Sequence, residues 1–401
     1  FIVLFCCGSM SVVAQDGQKE KAAAGKAAFD EAIKLRQEGR FASYKAALEK
    51  FELSVRLYTE AGDEANAASS LLGVGLMKSL LYERDAALEA YLKALEVFRK
   101  IGHVTLQART LNNLGRLYDE IGDQKKALEY HLAALPLRKQ ENDKSGEAQT
   151  LNSLGAVYMS IGERVKAFES FNSALKLRRE TGEKREEAII LNNLGRLFTD
   201  LGETAKAITY LEQSLSLRQA VNDKLGEAVC LNNLGMVYSD AGDNQKAISV
   251  FERALSIFTE LGFETQKAAV YNNLGRIHLE LKDLPKSLEL SRRAIPLYQK
   301  AENKSGEATA LNNIGFALTQ QGEAGAASVT FSEALLLAKL SGARELEAIV
   351  LGNLMRNAKD LRNPALAVFY GKQCINRFQE LRAAIGALEP NVQRTYLRQI
   401  G

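Results

Sequence analysis

Apolar residues return along this chain on two scales. On the shorter one, Leu111, Leu114, Gly115 and Tyr118 fall on a single stripe at 100° per residue, and the stripe stops at Gly122. A second stretch places Ala127, His131 and Ala134 on one face. Glycine at 122 predicts a helix end, because glycine accepts the left-handed conformation that closes a helix. The unit therefore reads as two antiparallel helices, A and B, joined by a tight turn.

On the longer scale, the string LNNLG at Leu111–Gly115 returns at Leu191 and Leu231. LNSLG stands at Leu151, YNNLG at Tyr271, LNNIG at Leu311 and LGNLM at Leu351. The first residues of these strings are 40 apart without a break, and Leu71 of LLGVG extends the frame one unit upstream. The unit before it is irregular, since Gly39 to Ala47 spans eight residues where Gly122 to Ala127 spans five. A fixed period of this length marks stacked supersecondary units. Gly115 recurs as Gly75, Gly155, Gly195, Gly235, Gly275 and Gly315, and helix B carries a small partner at Ala87, Ala167, Ala207, Ala247, Ser287 and Ala327. Paired small residues predict a close approach of the two axes, which offsets the ~1 kcal/mol that glycine costs inside a helix. Pro136 and Pro296 share one frame position and predict bent or shortened B helices. The loops NDKSGEA at Asn142, NDKLGEA at Asn222 and NKSGEA at Asn303 lie about 80 apart, so a double unit is superposed on the single one.

This order of small and large residues, with Leu-Gly, Tyr and Ala–aromatic–Ala, resembles the tetratricopeptide repeat over roughly residues 28–385. Leucine stands where that family often has tryptophan, and the unit is longer than the family's usual ~34 residues. In this it is similar to the extended repeats of the Leu-Gly-Asn spindle-orientation adaptors and of kinesin light chains. The resemblance implies an all-α fold, a right-handed α-solenoid of about nine helix pairs. It also implies that the A helices line a concave groove, the surface on which those relatives bind peptides. On this reading residues 15–60 form an irregular capping repeat and 61–385 the tandem array. From Pro364, the stretch running through YGKQCINRFQELRAAIGALEP resembles the connector between extended arrays and the caspase-like CHAT peptidase domain of many bacterial proteins. It implies that 386–401 begin such a connector and that the chain is the sensor half of a larger exported protein.

The polar residues of helix A carry the candidate chemistry. Asn112, Asn113, Arg116, Asp119 and Glu120 cluster roughly 140° from the apolar stripe, pointing away from helix B. The asparagines recur at Asn152, Asn192, Asn193, Asn232, Asn233, Asn272, Asn273, Asn312, Asn313 and Asn353. Asparagine costs up to ~0.7 kcal/mol relative to alanine in a helix, so the row has a role. A carboxamide both donates and accepts, so these side chains suit a peptide backbone. They equally suit bonds between adjacent repeats. Three positions after the second asparagine the side chains run Arg116, Ala156, Arg196, Met236, Arg276, Phe316 and Arg356. Arginine's fork suits carboxylates, and the apolar positions between suit side chains, so an acidic and hydrophobic ligand is expected. The alternative pairs each arginine with Asp119, Asp200, Glu280 or Asp360. At Leu71 the pattern changes: Leu72, Gly73 and Leu76 replace Asn, Asn and Arg, an apolar section expected to lie under the N-terminal helix.

Composition narrows the function classes. Lys and Arg number 52 against 49 Asp and Glu, a surplus too small to argue for nucleic acid or a membrane surface. Arg138, Arg178 and Arg218 mark one edge of the B helices without an aromatic stripe, which also speaks against nucleic acid. Cys6, Cys7, Cys230 and Cys374 form neither a disulfide framework nor a metal spacing, and His103, His131 and His278 are scattered. No metalloprotease, nucleophile-elbow or phosphate-loop motif occurs, so no catalytic residue, cofactor or metal is expected. FIVLFCCGSMSVVAQ reads as an export signal over 1–14, too short for a stable membrane span, with Val12 and Ala14 at the cleavage positions. The protein is expected to be exported, periplasmic or secreted, if that signal operates, and otherwise cytoplasmic. The reading is a non-catalytic scaffold that binds a peptide or partner-protein segment. The alternative is a stand-alone adaptor assembling complexes through its convex face or open ends.

Overall fold

A computed structural model describes residues 3–38 and 41–386 of the chain, with side chains over 16–38 and 42–380. The side chains of the expected leader and all but the first residue of the expected connector therefore lie outside the described residues. Eighteen α-helices and no strand occur among the described residues, as the all-α reading requires. They fall into two compact units, residues 1–161 with 165–181, and residues 162–164 with 182–401. The first holds α1 (Val3–Gln37), α2 (Phe41–Glu60), α3 (Glu64–Leu80), α4 (Arg84–Lys100), α5 (Val104–Ile121), α6 (Gln124–Gln140), α7 (Lys144–Ser160) and α8 (Arg164–Thr181). The second holds α9 (Lys184–Asp200), α10 (Thr204–Ala220), α11 (Lys224–Asp240), α12 (Asn244–Leu261) and α13 (Glu264–Glu280). It continues through α14 (Leu284–Lys300), α15 (Lys304–Gln320), α16 (Ala324–Leu340), α17 (Arg344–Asp360) and α18 (Pro364–Gly386). Odd numbers are A helices and even numbers B helices. Each unit is a solenoid stack in which B rings pack under the leucines of the next A helix, as Phe251 and Phe258 do with Val270, Leu274 and Ile277.

The metre is finer than the 40-residue repeat. A residue with positive φ closes a helix every 20 residues, from Gly62 to Arg362. At Gly122 the turn works as follows: Asp123 N–H bonds back to Tyr118 C=O at 2.9 Å, closing α5. The Asp123 carboxylate then accepts from Lys126 N–H at 3.1 Å, capping α6. One three-residue turn thus ends one helix and starts the next. Ten of these positions are glycine and two, Asn142 and Asn222, are asparagine. Tyr82, Lys282, Glu302 and Arg362 carry φ of 52–64° without either advantage.

In most pairs the recurring glycine of helix A faces a ring, one turn beyond the small residue expected to match it, while Gly195 faces Leu211 and Gly275 faces Ser291. A Cβ built on Gly155, Gly235 or Gly315 would sit 2.6–2.7 Å from Phe171, Phe251 or Phe331, each one turn beyond the alanine. In the last pair the sizes are reversed: Met355 takes the glycine's place and lies against Gly371, which takes the ring's. Of the bend or the shortening expected at the prolines, the shortening does not occur. α6 and α14 run the full 17 residues with Pro136 and Pro296 inside them, so neither helix is shortened.

Two polar features lie buried: the arginines read as one edge of the B helices, and His131, on the inner face where the sequence pattern places it. Arg138 and Arg218 are almost fully buried, and their guanidinium groups reach Asp143 at 2.6 Å and Asp223 at 2.7 Å. The same aspartates accept from the N–H of Gly146 and Gly226. A Cβ on either glycine would collide with the arginine, which explains why these loops read NDKxGEA. His131 holds the ring position in α6, fully buried, with Nδ1 3.0 Å from the Asn112 carboxamide oxygen. Burial, with Arg116 adding repulsion, depresses its pKa to about 4.

Lys282→Gly, Glu302→Gly and Arg362→Gly are each expected to stabilise the second unit by about 1 kcal/mol, read as a higher urea midpoint. His131 binds fewer protons in the native than in the unfolded chain between pH 6.5 and about 4, so stability falls on acidification through that window. The loss is about 3 kcal/mol at its low end, and His131→Phe should remove this component from a pH series of urea melts.

Candidate functional site

The asparagine row of the second unit is a hydrogen-bonded ladder. Asn233 Nδ2 donates to Asn192 Oδ1 at 2.9 Å, and Asn273 to Asn232 at 3.2 Å. Asn313 donates to Asn272 at 2.8 Å, and Asn353 to Asn312 at 2.7 Å. Every rung spans 41 residues, joining the second asparagine of one A helix to the first of the preceding A helix. A net hydrogen bond contributes about 1 kcal/mol, which offsets the ~0.7 kcal/mol propensity cost of an asparagine. Bridging between repeats, one of the two roles open from sequence, is therefore realised here.

The first unit differs. Asn112 is buried and turned toward α6, where it meets His131, so its side chain does not point away from helix B as expected. The 140° separation was measured against one partner helix only. Helix A also packs on neighbouring repeats, which leaves few positions facing solvent. Asn113 and Asn152 are half-buried, as is Asn193 in the second unit.

The arginines also divide. Arg276 bonds Glu280 at 3.1 Å and Ser239 Oγ at 3.1 Å, with Asp240 at 3.6 Å. Arg356 donates to the Asn353 oxygen at 2.7 Å, not to Asp360 as the pairing pattern suggested. Arg116 and Arg196 are exposed, as is Met236, while Ala156 and Phe316 are half-buried. Beside Arg116, burial pushes the Asp119 carboxyl up, opposed by a hydrogen bond from Gln124 and by the Arg116 charge.

Two depressions gather these groups. In the second unit a pocket of about 390 Å³ is lined by Arg276, Asn312, Asn313, Phe316, Ile349 and Asn353, so five candidate residues from α13, α15 and α17 converge. In the first unit a pocket of about 160 Å³ lies between α3 and α5, with Asn113 and Arg116 on its wall. Over the apolar section at Leu72–Leu76, Phe51 of α2 lies against Gly73, and Ala32 of α1 joins Phe51, Val74 and Met77 in one buried cluster, in keeping with the N-terminal cover expected there. Sequence reasoning missed Ile349 and Tyr82. Tyr82 had a readable signal, a bulky residue at a turn position where glycine prevails.

Among the described residues, no His, Cys, Asp or Glu cluster converges as a metal set, and no helix is long and apolar enough to cross a membrane. Cys230 is buried with its Sγ on the Leu211 carbonyl, and burial pushes its thiol up to about 11, so it is an inert packing residue.

Comparison with known proteins agrees with this architecture. The quorum sensor NprR from B. thuringiensis, in its apo form, superposes with a TM-score of 0.64 at 18% identity, covering 86% of this chain and 99% of that one. A Rap protein in complex with Competence and Sporulation Factor gives 0.58 at 17%, covering 87% and 99%. A signal-transduction ATPase with numerous domains and a tetratricopeptide repeat sensor, from Pyrococcus horikoshii, gives 0.61 at 15%, covering 86% of this chain and 55% of that one. These likenesses speak to the fold alone. No curated protein matches the chain in sequence. The sequence model of the tetratricopeptide repeat matches residues 83–140, 146–220, 187–260 and 227–300, together more than half of the chain. With that match and the paired helices among the described residues of each unit, the chain belongs to the tetratricopeptide repeat family.

Proposed function

We propose that this protein is a non-catalytic scaffold that holds a peptide or partner-protein segment against its A helices. The observation that carries the reading is the pocket at Arg276, Asn312, Asn313, Phe316 and Asn353. It joins carboxamides, a guanidinium and an apolar floor, the mixture that fixes a peptide backbone and accepts one side chain. Because the ladder already orients each carboxamide, little side-chain freedom remains to be lost on binding. The Rap complex supports the reading, since there a chain of this fold is bound to Competence and Sporulation Factor.

The scaffold serves as the sensor part of a larger exported protein, with a peptidase domain of the CHAT kind as the controlled partner. The apolar stretch at Phe1–Ala14 and the connector-like sequence from Pro364 support this. So does the Pyrococcus chain, in which a repeat sensor is one part of a longer signalling protein.

In selections from a displayed peptide library, Phe316→Glu is expected to weaken recovered peptides at least about tenfold while helicity by circular dichroism is unchanged. Undiminished binding would move the site off this pocket and favour an adaptor working through other faces. For the exported form, N-terminal sequencing of the secreted protein should begin after Ala14; a mature chain retaining Phe1–Ala14 refutes it.

A further inference from the structure

The outer face of α16 departs from the frame that the other B helices keep. Val329, Leu336 and Leu340 are 70%, 57% and 60% exposed there. Separations of seven and four residues put them on one stripe at 100° per residue. At these frame positions the B helices from α4 to α14 carry only charged, polar, small or proline side chains, as with Glu89, Glu96 and Lys100 in α4. Phe369, 56% exposed, continues the patch onto α18 at the frame position of Val329. Aliphatic side chains so exposed add little to the core, and a contiguous patch of them marks a surface that is covered in use.

The stripe is graded in size and in charge, and the grading says what covers it. Its N-terminal half carries Ala326 and Gly325, where an added Cβ would meet open space, so packing within the chain does not call for a glycine. Its C-terminal half carries the two leucines. Two copies set antiparallel about a two-fold axis near Ser332 and Glu333 lay large on small: Leu340 of one over Gly325 of the other, and Leu336 over Val329. Glu323 precedes the helix and Lys339 stands near its end, and neither side chain has a partner among the described residues. The same arrangement brings each within a helical turn of its opposite charge on the other copy. A parallel arrangement sets leucine on leucine and like charge on like. The acids Glu323 and Glu333 flanking the stripe disfavour an anionic lipid surface as the cover.

We infer that the outer face of α16, extended by Phe369 of α18, is the contact through which two copies of this chain associate as an antiparallel, two-fold dimer. A helix of this length runs about 25 Å, and a neighbour ~10 Å away widens the face to roughly 500 Å². Stable complexes bury ~800 Å² on each partner, so this dimer is weak and depends on concentration. Glu333 of each copy stands beside that of the other at the axis, a like-charge pair that holds the affinity down further.

Sedimentation velocity of the full chain, from micromolar to millimolar protein, should show a reversible monomer–dimer equilibrium. Leu336→Glu is expected to raise the dissociation constant at least about tenfold with the circular dichroism unchanged, and Glu333→Gln to lower it several-fold. Lys339→Glu and Glu323→Lys should each weaken the dimer, and the two together should restore it, a recovery that unspecific adhesion of an apolar patch does not give. A wild-type chain that stays monomeric throughout refutes the inference. So does a dimer indifferent to Leu336→Glu, or a double variant that fails to recover. Monomers that instead sediment with phosphatidylserine vesicles, and lose this in Leu336→Glu, would assign the stripe to a lipid surface and overturn the dimer.

Discussion

The spacing between the two helices of most pairs is set by a ring pressed onto a glycine. Phe171 on Gly155, Phe251 on Gly235 and Phe331 on Gly315 leave no room for a methyl group, so ring thickness fixes the interaxial distance. The reversed pair Met355 and Gly371 shows that the constraint is on combined size, not on which helix supplies the bulk. Where both partners are small, at Gly275 and Ser291, the carbonyl of Ser287 comes within 3.3 Å of where a Cβ would be, and the main chains themselves meet. Everything on the outer side of the A helices inherits its position from these contacts.

Seams between successive repeats use directional bonds instead. The Asn192–Asn233 rung and its successors, and the Arg138–Asp143 and Arg218–Asp223 pairs, lie where an apolar contact would tolerate sliding. Buried charge pairs contribute little net stability, because desolvation consumes most of the Coulombic gain. Their geometry is nevertheless exacting, since Asp143 and Asp223 each serve an arginine and a backbone N–H at once. Such bonds fix which residue faces which, and that is the condition for a surface whose chemistry repeats in register.

Sequence periodicity was enough to read the helix pairs, their turns and the family, because the 40-residue frame is unbroken from Leu71 to Leu351. It was poor at deciding which polar side chains are free. Asn112 was placed outward because a helical wheel measures angles from one partner, whereas α5 touches α6 and the repeats on both sides. Arg138 and Arg218 looked like surface charges because the glycines that receive them, Gly146 and Gly226, lie in the next loop and show no periodic link to them. Asn312, Asn313, Phe316 and Arg276 line one pocket because they are neighbours along or across A helices in the same frame. Ile349 escaped because it precedes the motif by two residues and reaches the pocket only through the stacking of α17 on α15.

The ladder also bears on how such a chain can change length. Each rung joins residues 41 apart, one more than the repeat, so its register depends on the frame and not on which repeat supplies the partner. Excising residues 233–272 would bring Asn273 to the place of Asn233, facing Asn192, with the same chemistry on both sides of the junction. Duplication of a repeat would close equally well. A loss or gain of any other number of residues would strand a carboxamide in a buried seam, where an unmatched polar group costs roughly 1–3 kcal/mol. Hydrogen bonding between repeats thus acts as a length filter, admitting whole repeats and rejecting fractions of one.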